Sequence, residues 1–445
     1  MKTENVRIGI IGFAREGKSL AEFLLTRLKG YCEITFLDQR TIKSSDRDSR
    51  FHYKTGKSYL STLNSFDIVF RSPGVPFLTK EIQAAKKSGV AISSVTNIFF
   101  QEIHTLRQKK NSDYPKIIAV TGTKGKGTTS TLIYNMLKKA GKKAVLAGNI
   151  GVPMLDVLSK AKKSEFIVLE LSSFQLQDLK HSADVAVLVP VSPDHLDHHK
   201  TMAEYVNAKA QLTKTQVKGC RAYCVAGNKL SEKIVSFSAG KKVFVKPESF
   251  KLFDSSDLSV PGMHNFENAV LAATVVSDLG IDKAAIASAA KVFKGLSHRL
   301  EFVRKVSHSS ARVSVFDDSA GTNPITSVAA ARAFSIPSIV MIGGVGKVSY
   351  APLRELKKTN ASAVVLFGRD GKKARKFIPR HIQVVEAGGK DFSKIVRTAL
   401  DLSLKLSAEL HSEVALLFSP ASASFDMFEN AYQRGDLFQE FVKKM

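Results

Sequence analysis

The chain has 445 residues, of which 44% are hydrophobic and 24% charged, and its formal net charge is +26. That length exceeds one ordinary core and suits about two to four domains, while no stretch is long and apolar enough to span a membrane. The lysines are scattered as doublets such as Lys86-Lys87, Lys138-Lys139 and Lys372-Lys373, with no basic run interleaved with aromatics, so no nucleic acid is expected and the charge favours polyanionic nucleotides instead.

Short β-branched runs alternate with longer amphipathic ones, the signature of an α/β protein with mostly parallel sheets. Strands are predicted at 6–12, 33–38 and 68–74. A polar stretch, RQKKNSDYPK (107–116), reads as a linker. A second block follows with strands at 116–123, 166–173 and 185–192. A third begins near Leu296, with strands at 313–319, 338–346, 363–370 and 414–420. Cys32, Cys220 and Cys224 have no nearby partner pair and read as ordinary thiols of a reducing compartment. The start, MKTENVRIGIIG, lacks a signal-peptide layout, so the cytoplasm is the expected location.

The run AVTGTKGKGTTST (119–131) carries the clearest chemistry. An apolar strand enters a loop in which Gly122 and Gly125 let backbone N–H groups turn toward a phosphate. A helix starting near Lys126 adds its positive end, and the Lys126 ammonium can reach the β- and γ-phosphates of ATP. Gly127 stands where a magnesium-binding hydroxyl is usual. Thr128 can supply that hydroxyl, and Glu170, at the end of FIVLE, can supply a carboxylate. Glu170 alone reads equally well as a solvated strand end.

Several segments occur in a fixed order: TGTKGKGTT, GNIG (148–151), LELSSFQL (169–176), PDHLDHH (193–199), YVNAK (205–209), GMHNFEN (262–268), SHRLE (297–301), DDSAGTN (317–323) and SPASASFDMF (419–428). Together they resemble the Mur ligase family along essentially the whole chain, and SPASASFDMF points to its D-glutamate-adding branch. The resemblance implies three domains: a Rossmann-like N-terminal UDP-sugar domain (1–106), a central P-loop ATPase-type domain (107–296) and a C-terminal Rossmann-like amino-acid domain (297–445). It implies an ATP-dependent ligase that joins D-glutamate to UDP-N-acetylmuramoyl-L-alanine through an acyl phosphate in cytoplasmic peptidoglycan precursor synthesis. A monomer is expected.

The resemblance assigns catalysis to Lys126, Glu170, His195 and Lys209. Lys209 would carry a carbon dioxide-derived carbamate. Two magnesium ions are expected, held by Thr128, Glu170, His195 and the modified Lys209. ATP would be bound by Gly122, Thr123, Lys124, Gly125, Lys126, Gly127, Thr128, Asn265, Asn268, Arg299 and Asp318. The UDP sugar would lie against Gly12, Gly17, Asp38, Gln39, Arg40, Ser72, Gly74, Asn149 and Ser172, and D-glutamate against Thr322, Lys347, Ser424 and Phe425. His198 and His199 read as exposed polar residues. Lys124, Gly127, Pro190, Ala320 and Val345 depart from the family pattern. The alternatives are another Mur or folate-type amide ligase, or a nucleotide-binding regulator without catalysis.

Overall fold

The computed structural model describes residues 5–110, 114–149, 152–260, 262–346, 349–389 and 391–445. Among them, the strands form three sheets. In the first, β1 (Val6–Ile11), β2 (Cys32–Asp38), β3 (His52–Thr55), β4 (Ile68–Phe70) and β5 (Ala91–Ser93) run in the order β3-β2-β1-β4-β5, all parallel. In the second, β6 (Lys116–Thr121), β7 (Ala144–Gly148), β8 (Phe166–Glu170), β9 (Val185–Leu188), β10 (Arg221–Val225) and β11 (Lys241–Val245) run in the order β11-β10-β9-β6-β8-β7, again all parallel. The third contains β12 (Glu301–His308), β13 (Ala311–Asp317), β14 (Ser338–Gly343), β15 (Ala361–Phe367), β16 (Gln383–Glu386) and β17 (Val414–Phe418). Its order is β12-β13-β17-β14-β15-β16, parallel except for the β12–β13 pair.

Helical crossovers explain the composition of the central strands. A parallel sheet covered on both faces has no solvated side, so its strands read as continuous apolar runs. β8, β9, β14 and β17 are buried at every position. In the second sheet, β6 lies between β8 and β9: the chain passes from β6 to β7 on one side, returns to β8, and then crosses β6 to build β9, β10 and β11 on the other. Ligands bind at such switch points, outside the carboxyl ends of the strands. The loop after β6 is the glycine-rich one.

The chain divides into two compact units. One comprises Met1–Phe250 and Glu267–Ala289, the other Lys251–Phe266 and Ala290–Met445. The first unit contains the first two sheets, and one apolar core runs through both, including Ile8, Phe36, Phe99, Phe100, Ile117, Ile167 and Leu188. The second unit contains the third sheet.

Two local expectations are corrected. Residues 107–110 are not linker; they complete a helix, Val95–Lys110, that begins in the first block. Its last turns are anchored by buried Ile103 and by Arg107, whose guanidinium lies 2.5 Å from the Asp184 carboxylate. Strands β3, β5, β7, β10, β11, β12 and β16 were not anticipated. Among the described residues, no helix is long and apolar enough to cross a membrane.

Candidate active site

β6 ends at Thr121, and the next residues turn into a helix, Lys126–Lys139, whose N-cap is Gly125 with φ 95°. Gly122 also has positive φ, and a β-carbon there would collide with Val189. A β-carbon on Gly125 would collide with the Asn268 side chain, which also accepts a 3.3 Å bond from the Thr129 hydroxyl. The loop is therefore shaped by glycine and braced by Asn268. The Lys126 ammonium donates to the Thr123 carbonyl at 2.9 Å. Lys124 is exposed, whereas Gly127 and Thr128 are half-buried.

Glu170 closes β8 beside β6, in register with Val120, and is only 3% exposed. It is therefore not a solvated strand end. Its carboxylate accepts a 3.4 Å bond from the Asn149 amide, and its carbonyl accepts the Asn149 N–H. Gly148, with φ 110°, lets the chain pass so close that a β-carbon would collide with the Glu170 carbonyl.

Lys209 lies on the helix Met202–Lys214 and is 1% exposed. Its ammonium donates to the Gly122 carbonyl at 2.6 Å and sits 4.4 Å from the centre of the Tyr205 ring. Burial, then the Lys126 charge, hold its pKa well below the ordinary lysine value, while Asp194 and Glu170 pull the other way. A lysine so placed gives up its proton more readily than an exposed one, and the deprotonated amine is the form that can act as a nucleophile. Tyr205, one helical turn before Lys209, shares a 2.9 Å bond with the Thr123 hydroxyl. Burial pushes its phenol up to about 12. The sequence reading missed this role; the four-residue spacing of Tyr205 and Lys209 was the available signal.

His195 is exposed, in left-handed backbone at φ 53°, with its ring 4.9 Å from that of Phe174. Asp194 accepts its backbone N–H at 2.9 Å. The expectation for His199 is overturned: it is fully buried. Its Nε2 lies 2.8 Å from the Ser173 hydroxyl, its Nδ1 lies 3.3 Å from the Gln177 amide, and its ring stacks on Phe174. Those polar partners offset the cost of burying an imidazole.

In the first sheet, Asp38 accepts the N–H of Phe13 at 2.9 Å and that of Arg40 at 2.8 Å. A β-carbon on Gly17 would collide with the Gly12 carbonyl, and one on Gly12 would press on Ser72. Gly12, Gly17, Asp38 and Ser72 are thus brought together at the carboxyl ends of β1, β2 and β4. Gln39, Arg40 and Gly74 are exposed around them. Ser172 caps the helical turn Ser173–Leu176 in a reciprocal pair with Gln175, so its hydroxyl is already engaged.

In the second unit, Asp318 is buried and accepts the Ser419 hydroxyl at 2.6 Å and the Leu300 N–H at 3.3 Å. Burial raises its carboxyl to about 7. Asn265 is buried; Arg299 and Thr322 are exposed. Ser424 is buried, and the next residue, Phe425, is 73% exposed. The Val345 N–H donates to the Ala423 carbonyl at 2.9 Å, joining two loops of this unit. Lys347 lies outside the described residues. His298, Glu301 and Asp317 bring potential metal-ligand atoms within 4.8 Å of one another. They are already bonded: His298 Nδ1 lies 2.7 Å from Asp317, the His298 N–H donates to Glu301, and the Gln439 amide donates to both acids. That network is structural.

The donor set of the first unit fits magnesium. Hard cations take oxygen ligands, and the Glu170 carboxylate and the Thr128 hydroxyl would supply them beside a phosphate loop.

Comparison with known proteins agrees with this geometry. Residues 120–276 match the family described as Mur ligase middle domain. The UDP-N-acetylmuramoylalanine–D-glutamate ligase of Acetivibrio thermocellus is 32% identical, covering 100% of this chain and 97% of that protein. Among solved structures, UDP-N-acetylmuramate-alanine ligase from Thermotoga maritima superposes with a TM-score of 0.56 at 18% identity, over 98% of this chain and 99% of that one. MurF ligase from the same organism, in complex with ADP, gives 0.55 at 16% identity, over 100% and 99%.

Proposed function

Because the chain belongs to the Mur ligase family, as an ATP-dependent, D-glutamate-adding ligase of peptidoglycan precursor synthesis, we propose that its buried groups divide one phosphoryl transfer and one amide-forming step between them. The substrates are UDP-N-acetylmuramoyl-L-alanine and D-glutamate, and the site of action is the cytoplasm.

Phosphoryl transfer depends on positioning and charge neutralisation more than on covalent help. The Gly122–Gly125 loop and the start of the following helix bind the triphosphate, and the Lys126 ammonium leaves the Thr123 carbonyl to neutralise charge on the γ-phosphate. Glu170 and Thr128, together with His195, would hold magnesium, which would neutralise the remaining phosphate charge. The acceptor carboxylate attacks the γ-phosphorus, giving an acyl phosphate and ADP. The D-glutamate amine then attacks the acyl carbon, and phosphate leaves. Gly12, Gly17, Asp38 and Ser72 hold the nucleotide of the acceptor. Asp318 and Arg299 serve ATP, and Thr322, Ser424 and Phe425 serve the amino acid.

The observation that carries this reading is Lys209. A lysine buried beside a phosphate loop, next to Lys126, is poorly placed as a cation. A neutral amine that adds to carbon dioxide and releases a proton becomes an anionic carbamate, and an anion there complements both Lys126 and a metal ion. The protein should be equilibrated with isotopically labelled bicarbonate and its carbamate signal followed by NMR. A signal absent in Lys209→Met supports the reading; wild-type protein without one contradicts it.

Glu170, Lys126 and Lys209 argue against a regulator that only binds nucleotide. Binding alone would not require a buried carboxylate and a buried lysine beside one phosphate loop.

A further inference from the structure

The C-terminal helix Ala431–Lys444 contributes a residue that the account above leaves unused. The Arg434 side chain is fully buried. Its two terminal nitrogens donate to backbone carbonyls from separate loops, Ser319 at 2.8 Å and Ser422 at 3.1 Å. Its Nε has no hydrogen-bond partner. Among the described residues, no carboxylate comes within the 4.0 Å of an ion pair; Asp426 and Asp317 act on it only at longer range. Burial lowers its pKa only to about 10, so it is charged at neutral pH.

The next residue shows that this approach is built in. A β-carbon on Gly435 would collide with the His298 ring and the Ser319 hydroxyl, so the helix can dock there only with glycine. Gly344, with φ 119°, similarly leaves room beside the Arg434 guanidinium. An arginine buried without a counter-ion is costly. Two carbonyls could be tied by a neutral donor at less expense. With Asp426 and Asp317 acting only at longer range, its charge is left to attract a further anion.

Resting on the amino-acid site proposed above, we infer that Arg434 is the positioning and specificity-determining residue of that site. Its guanidinium fixes the loops that carry Thr322 and Ser424, and its unpaired charge selects an amino acid with a second carboxylate. It acts through the loops and through its field, without touching the substrate.

The test compares D-glutamate with D-glutamine, which lacks the second charge. KM for D-glutamate and the inhibition constant of D-glutamine against it are measured in wild type, Arg434→Lys and Arg434→Gln, with KM for ATP alongside. Arg434→Gln should raise KM for D-glutamate about ten-fold while weakening D-glutamine less than about three-fold, and Arg434→Lys should keep the wild-type discrimination. Equal weakening of both ligands in Arg434→Gln would reduce Arg434 to a loop clamp and overturn the inference. Should Arg434→Gln not fold, Asp426→Asn reads the same field in reverse: it should strengthen D-glutamate relative to D-glutamine, and unchanged discrimination would overturn the inference. Failure of wild type to use D-glutamate would instead sink the proposed substrate.

Discussion

If Lys209 is retained for chemistry, its replacement by methionine should leave the protein as stable or more stable while removing turnover. Transferring an ammonium into the interior leaves an effective penalty of several kcal/mol. Against it stand the bond to the Gly122 carbonyl, worth about 1.5–3 kcal/mol for a charged donor, and the Tyr205 ring, worth up to about 2 kcal/mol. These terms nearly cancel, and the lowered pKa shows which way the balance falls. Methionine fills similar volume without a charge. Lys209→Met should therefore change stability by about 0 to +2 kcal/mol, and at about 2–4 °C per kcal/mol the melting temperature should rise by up to about 8 °C. The sign of the pH dependence follows from the same shift. Between the folded pKa and the ordinary value of 10.5, the unfolded chain binds the extra proton, so stability rises with pH. Thermal melts of both proteins in bicarbonate-free buffer from neutral pH to about pH 10 test this, and the slope should shrink in Lys209→Met. A loss of more than about 1 kcal/mol in the variant would refute the reasoning, because it would make Lys209 a structural donor to the phosphate loop.

Three further outcomes are expected. Asp318 has a folded pKa of about 7 against 3.8, so its contribution favours the native state at low pH and is lost as pH rises between those values; Asp318→Asn should raise stability above pH 7 by up to about 4 kcal/mol and leave it nearly unchanged near pH 4, as read by denaturant titration. Arg71 and Asp178 form a buried ion pair at 2.6 Å, and Arg71 also donates to the Phe174 carbonyl; Arg71→Met should cost about 3–5 kcal/mol, and Arg71→Met with Asp178→Leu should cost clearly less than the two single changes added. Gly148→Ala forces a β-carbon against the Glu170 carbonyl at φ 110°; it should raise the magnesium concentration for half-maximal turnover about ten-fold, equivalent to about 1.4 kcal/mol, and an unchanged requirement would remove Glu170 from the metal site.

What the sequence reveals here depends on whether a feature is local. The buried parallel strands β6, β8, β9, β14 and β17 are legible because burial on both faces leaves uninterrupted apolar runs. The loop after β6 is legible because its glycines are required by positive φ. The edge strands are not. β3 reads HYKT and β11 reads KKVFV, each with one hydrogen-bonded neighbour and a mostly exposed or half-buried pattern, so neither shows a strand period. β12, the antiparallel edge, reads EFVRKVSH for the same reason.

The site divides in the same way. Glu170 ends an apolar strand and Lys126 opens the helix after the glycine loop, positions that their neighbours announce. The burial of His199 is set by Ser173, Phe174 and Gln177 from another segment, which nothing in PDHLDHH indicates. Arg434 is a stronger case. It belongs to an ordinary amphipathic helix, and only the loops of Ser319, 115 residues away, and Ser422, 12 residues away, give it a role.

The most direct measurement is phosphate release with ATP, magnesium and UDP-N-acetylmuramoyl-L-alanine across a panel of D- and L-amino acids. Release should occur with D-glutamate alone, vanish in Lys126→Ala and fall severely in Lys209→Met. Release with another amino acid, or full turnover without Lys209, would contradict the account.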